Sequence, residues 1–136
     1  MANLATLHKD GPRNSPVWFI WEDDVLWMLG EEGGGAVGRL QRDPRCAVEI
    51  VDFDNEAGIL LHCGLRGEAS VEPPSSARFR RLLRKYLGQE ELWNRWFIEN
   101  IAQIDDPTNR MIRLAPSSIF TNNASFFRTG PDFAWP

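Results

Sequence analysis

Over the first half of the chain, apolar side chains come in short runs separated by turn-forming residues, which is the pattern of strands rather than helices. The stretch "NLATLHKDGPRNSPVWFIW" reads as two strands joined by a turn at Lys9-Asp10-Gly11-Pro12, where Asp-Gly is a strong hairpin signal. In the second strand Val17, Phe19 and Trp21 fall on one face, and Trp18 and Ile20 on the other. Both faces are apolar, so cover on both sides is expected. Glu22-Asp23-Asp24 is a polar turn, and "VLWML" (25–29) is a third strand. A glycine-rich loop follows, then a short helix from about Ala36 to Arg42, ended by Asp43-Pro44. "CAVEIVDF" (46–53) is a fourth strand, and residues 59–72 form a long fifth in which Gly64 and Gly67 suggest bends or bulges.

The period then changes. Pro73-Pro74-Ser75-Ser76 stops the sheet and offers a helix cap, after which Phe79, Leu82, Leu83, Tyr86 and Leu87 make a helical apolar stripe. Arg78, Arg80, Arg81, Arg84 and Lys85 mostly take the other positions, as a solvated basic face. Gly88 breaks the helix, and "EELWNRWFIENIAQI" resumes it with Leu92, Trp93, Trp96, Phe97 and Ile101. "RMIRLAPSSIF" (110–120) is a sixth strand, and the tail 121–136 is apolar yet turn-rich, as if laid over another surface or subunit. The sum is a mainly β fold: one domain over residues 1–136, a six-stranded antiparallel barrel with a helical insertion at about 75–104.

Composition narrows the class. The chain has 136 residues, 43% of them hydrophobic and 25% charged, which suits one soluble domain. A net charge of -4 disfavours nucleic acid and anionic membrane as partners. Six Trp and eight Phe fit buried sheet faces, a subunit interface or a pocket for a planar ligand. The two cysteines, Cys46 and Cys63, make no disulfide framework, and the opening "MANLATLHKDG" lacks a signal-peptide pattern. A cytoplasmic location is expected.

Glycines 33, 35 and 38 spell G-x-G-x-x-G after a strand and before a helix, the outline of a dinucleotide-binding turn. Three points count against it. Glu31 and Glu32 intervene between strand and first glycine. The helix before Pro44 is too short for a crossover of a dozen or so residues. No further βαβ unit follows, so no doubly wound sheet can form around the motif.

The same segment fits another pattern. "LATLHKDGPRNSPVWFIWEDDVLWML", a loop, "GRLQRDPRCAVEIVD" and "GLRGEASVE" resemble the flavin-binding split-barrel proteins related to pyridoxamine 5'-phosphate oxidase, over about Leu4 to Glu72. The most specific parts are Ser15-Pro16-Val17-Trp18 and the Leu-x-x-Asp-Pro-Arg block ending at Arg45. The resemblance implies a homodimer with FMN, or sometimes a deazaflavin, in a cleft between subunits. It implies a flavin ring near Ser15, Pro16, Val17 and Trp18, with Leu29 and Gly30 contacting it. His62 falls where oxidases of the family often place a ring-contacting Gln. No match to the basic C-terminal substrate segment of pyridoxamine phosphate oxidase itself is present.

The loop departs from the family. Many relatives carry Ser-Arg-Lys there, the basic pair gripping the flavin phosphate; here Gly34, Gly35 and Ala36 stand at those positions. Two lost charged hydrogen bonds cost about 3–6 kcal/mol, a hundred- to ten-thousand-fold in affinity. Backbone N–H groups of the glycines, the helix start, and Arg39, Arg42 or Arg13 are the available compensation. Two readings follow. One is a small flavin-dependent oxidoreductase with no side chain named as acid or base, its pocket shaped by Trp18 and by tail aromatics such as Phe127 and Trp135. The other is a non-enzymatic split-barrel dimer that has lost tight flavin binding or takes another planar ligand, a deazaflavin or a haem bound through His62. His62 and Cys63 are adjacent on a strand and point to opposite faces, a poor chelating pair, so no metal site is expected.

Overall fold

The structure is a computed structural model that describes residues 1–125. Strands β1 (Ala2–His8) and β2 (Gly11–Val17) form the expected first hairpin, with Gly11 at φ +111° closing the turn. Strands β3 (Phe19–Glu22) and β4 (Val25–Glu31) form a second hairpin. Its central residues Asp23 and Asp24 have φ of 52° and 59°, the left-handed pair that matches strand twist in a tight hairpin. Helix α1 (Gly35–Arg42), strands β5 (Arg45–Asp54) and β6 (Ile59–Glu72), and helix α2 (Ser76–Leu87) follow. A single 3-10 turn (Glu90–Leu92), helix α3 (Arg95–Asn100), β7 (Asn109–Leu114) and β8 (Ser118–Asn123) complete the described chain.

Every strand pair is antiparallel, but the sheet has eight strands rather than six. The second expected strand is interrupted at Trp18, whose indole stacks on Tyr86 of α2 at 4.7 Å and so leaves the ladder. The last is interrupted at Ala115-Pro116-Ser117, where Pro116 has no N–H to give and Ser117 N–H turns to the Arg66 carbonyl. The order is β2-β1-β5-β6-β7-β4-β3, with β8 also on β6. The sheet's eight strands correct the strand count of the expected six-stranded barrel, and this path is open. Its two end strands, β2 and β3, are consecutive in sequence, so the sheet returns on itself through the backbone at Trp18 and not through a ladder.

Strand β6 links the halves, pairing with β5 and β8 along its first part and with β7 over Ala69–Glu72. Its register runs through Gly64 and Gly67 without a bulge, against expectation. Gly67 serves a crossing instead: a Cβ there would meet Leu114 Cδ1 at 3.0 Å and the Ala115 carbonyl oxygen at 3.3 Å.

Two cores result. Leu4, Leu26, Met28, Val48, Leu65, Ile112 and Leu114 fill the sheet's interior, and Val37 and Leu40 of α1, one turn apart, plug it. Phe79, Leu83, Ala102 and Ile104 make a second core under the helical insertion, joined by Trp18 and Leu29. The resumed helix is not continuous: Trp93 is extended and the Asn94 side chain accepts from Phe97 N–H, starting α3 afresh. Trp21 is 42% exposed on β3, so among the described residues cover on both faces is not found there. Nor is the basic face of α2 merely solvated, since Arg78 and Arg81 meet Glu22, and Arg80 and Arg84 meet Glu90.

Glu22 is the clamp between α2 and β3. It accepts from Arg81 Nη2 at 2.9 Å and from Arg78 Nε at 3.1 Å. The Arg81 hydrogen bond, aided by Arg78, holds its carboxyl down from 4.5 to about 2 against the opposing effect of burial. A depressed folded value stabilises above the unfolded value near 4.5, and the benefit is lost as pH falls through about 2. Urea unfolding of Glu22→Gln should show a loss of roughly 1 kcal/mol at pH 7 that vanishes near pH 2. An equal loss at both pH values would remove Glu22 from this role.

Candidate functional site

Five of the residues expected around a ring converge on one cleft of about 730 Å³. Pro16 and Val17 come from the end of β2, Trp18 from the strand break, and Leu29 and Gly30 from the end of β4. The backbone joins the two sides, with Leu29 N–H donating to the Trp18 carbonyl at 3.4 Å. The Trp18 indole stacks on Tyr86 and, at 5.7 Å, on Phe97, so it forms a fixed wall between sheet and helices. The opposite side of the cleft comes from Phe79, Phe97, Asn100, Ile101, Gln103, Asp106 and Asn109. These went unassigned in the sequence: Phe97 and Ile101 belong to an apolar stripe that reads as core, and 103–109 has no periodicity.

The glycine loop follows directly on the β4 end of the cleft, after Gly30 and Glu31. Gly33 has φ +75°, where a side chain is strained, and a Cβ on Gly34 would stand 2.8 Å from the Glu31 carbonyl oxygen. Gly34 is the N-cap of α1 and supplies no side-chain cap; no acidic residue occupies the first turn. The first N–H groups of the helix are therefore free of side-chain partners and favour an anion. Ala36 packs against the sheet interior rather than facing the loop.

Arg39, one turn further on, bends back to this loop. Its Nε donates to Thr6 Oγ1 at 2.6 Å and its Nη2 to Ser15 Oγ at 3.1 Å. Its Nη1 lies 2.9 Å from where a Cβ on Gly35 would be, so the guanidinium fills the space of a side chain at position 35. Among the described residues it meets hydroxyls and no carboxylate. Thr6 is 1% exposed and donates onward to the Arg13 carbonyl at 3.5 Å. Thr6 went unassigned in the sequence, although the "LATLH" alternation puts it on the face of Leu4, where a hydroxyl on a core face could have marked it as engaged. Glu32, whose charge opposes an anion here, is drawn off by Arg110 at 2.7 Å.

His62 lies elsewhere. The register sets Pro16 opposite Asn3, Asn3 opposite Glu49, and Glu49 opposite Gly64. Gly64 is thus three strand spacings from Pro16, about 14 Å along the sheet, and His62 lies two residues away along β6. It lines a second depression with Asn3, Asn14, Glu49 and Phe120, its Nε2 3.1 Å from Glu49 Oε1. Nearby Val51, Phe53, Leu61, Ile119 and Phe120 are exposed large apolar residues. Phe127 and Trp135, expected to shape the pocket, lie outside the described residues. Among the described residues no three His, Cys, Asp or Glu side chains converge, and burial pushes the Cys46 thiol up to about 11. No helix among them is long and apolar enough to cross a membrane.

The family model described as pyridoxamine 5'-phosphate oxidase matches residues 1–123. No curated protein matches the chain. Among solved structures, the conserved hypothetical protein Rv2991 from Mycobacterium tuberculosis is similar, with TM-score 0.69 and 20% identity over 90% of this chain and 76% of that one. An F420 reductase gives TM-score 0.66 and 21% identity over 88% and 87%. HutZ, the haem storage protein from Vibrio cholerae, gives 0.66 and 16% over 91% and 86%. At these identities the likeness is one of fold.

Gly30 seats α1. A Cβ there would stand 2.6 Å from Val37 Cγ2 and 3.2 Å from Ile112 Cδ1, both buried. Gly30→Ala should cost about 1–3 kcal/mol in denaturant unfolding, by overpacking. An unchanged midpoint would mean that α1 does not depend on this contact.

Proposed function

Because the chain belongs to the pyridoxamine 5'-phosphate oxidase family, we propose that it is a flavin-binding, oxidoreductase-like homodimer taking FMN along β2. One observation carries the reading: the Arg39 guanidinium occupies the space of the missing side chain at Gly35, beside an uncapped helix start. The donor set fits a phosphate, with Arg39, Ser15 Oγ and the N–H groups after Gly34 as its holders. Pro16, Val17, Trp18, Leu29 and Gly30 then border the ring, and the stacked Trp18 fixes the wall against which it is oriented.

When bound, the flavin supplies the hydride chemistry. The chain's own part is binding, orientation and exclusion of water. His62 is too far from the cleft of its own protomer to touch a ring there, so a ring contact from it comes from the second copy. The exposed Val51, Phe53 and Phe120 around it support such a copy.

A second reading, a split-barrel dimer that holds flavin weakly or takes another planar ligand, is favoured by one observation. Ala36 faces the core, so one cation serves where relatives place two. A deazaflavin fits the same cleft. A haem ligated through His62 would have to displace its Glu49 contact.

Titration of FMN followed by quenching of its fluorescence should saturate; none up to the order of millimolar would sink the flavin reading. Arg39→Ala should weaken binding about ten- to a hundredfold. Gly35→Arg in that background should restore most of it, because the new guanidinium reaches the vacated space. Gly35→Arg alone should change little, Arg39 being already there. Restoration failing while both proteins stay folded would refute the substitution of one arginine for the other. Light scattering should report a dimer.

A further inference from the structure

The cleft beside the proposed flavin segment has a second side whose polar chemistry is weighted towards acceptors and negative charge. Phe79, Phe97 and Ile101 supply flat apolar surface facing the stacked Trp18. Each donor-bearing polar side chain among them commits at least one donor within the protein. Asn100 Nδ2 donates to the Trp96 carbonyl at 2.9 Å, Gln103 Nε2 to the Glu99 carbonyl at 2.8 Å, and Asn109 Nδ2 to the Gln103 carbonyl at 2.6 Å. Thr108 Oγ1 donates to Asp106 Oδ1 at 2.6 Å. What remains for a ligand is weighted towards acceptors: the amide oxygens of Asn100, Gln103 and Asn109 and the Asp106 carboxylate, against one amide N–H each on Asn100 and Gln103.

Charge points the same way. Among the described residues the lining holds the carboxylates of Glu31 and Asp106 and no Lys, Arg or His. Arg110, close in sequence to this wall, is committed to Glu32 and to the carbonyls of Pro107 and Asn109. An anionic ligand would leave water to face an excess of acceptors and two negative charges, with no cation in the lining to offset them. A flat ligand that donates hydrogen bonds or carries positive charge meets none of these penalties.

We propose that the helix side of this cleft binds a planar heteroaromatic that donates hydrogen bonds, is neutral or cationic, and bears no phosphate or carboxylate. That this ligand is the flavin's partner substrate rests on the flavin reading; that it binds does not. The anion-holding groups around Arg39 thereby lie outside this lining, and the acceptors lie within it.

Three quinolines of matched ring test it by calorimetric titration: 4-aminoquinoline, a cation and donor at neutral pH, quinoline itself, and quinoline-4-carboxylate. The amine should bind at least about tenfold more tightly than the carboxylate, with quinoline between. Glu31→Gln, an exposed position, should cut the preference for the amine over quinoline about threefold, and Phe97→Ala should weaken all three. Equal or tighter binding of the carboxylate, no binding of any probe, or a preference untouched by Glu31→Gln would overturn the proposal. FMN titration of the same preparations separates the two readings. Ordered binding of the quinolines without FMN saturation defeats only the cofactor, and FMN saturation without discrimination among the quinolines defeats only this ligand class.

Discussion

Helix α1 lies against the sheet because position 30 has no side chain, so that Val37 enters the space a Cβ would need and Leu40 follows one turn later into the same core. Much of the cleft depends on that seating. It aims Arg39, on the neighbouring helical face, across to Thr6 and Ser15 on the β1–β2 hairpin. It also presents the N-terminal N–H groups of α1 beside the end of β4. A helix displaced by a side chain at 30 would carry the guanidinium and the backbone donors away together. Packing in the interior and charge at the rim are thus set by one contact.

Trp18 is the other fixed point. It interrupts what would be one strand, lets the two halves pair with different neighbours, and carries an indole that stacks on the helical insertion. The interior of the sheet and the core beneath α2 therefore meet at the residue that borders the cleft. Glu22, held by two arginines of α2, fixes the same helix from the far end of β3. A wall held at both ends is suited to orienting a flat ligand, since little of it has to be ordered on binding.

Much of the fold was legible in local pattern. The Asp-Gly hairpin, the Asp43-Pro44 stop and the stripe from Phe79 to Leu87 all stand where periodicity and turn chemistry put them. The strand breaks at Trp18 and Pro116 were not legible, because both depend on what lies across the fold: Tyr86 in one case, the Arg66 carbonyl in the other. The site divides likewise. The segment from Ser15 to Trp18 and the pair Leu29-Gly30 could be carried over from a family resemblance. Arg39 stood only as one of three candidate cations, with Arg42 and Arg13, because residue spacing alone does not say which side chain will bend back into the gap left by Gly35. The distance of His62 could not be carried over, because it follows from the register of four strands.

In the proposed FMN site, the phosphate-holding charge has moved along the helix rather than vanished. The most direct measurement compares the affinity of the protein for FMN with its affinity for riboflavin, which has the same ring and no phosphate. A working Arg39 site predicts that FMN binds more tightly by about tenfold or more, the worth of a charged hydrogen bond. Equal affinities would contradict it, leaving the glycine loop without a phosphate to hold.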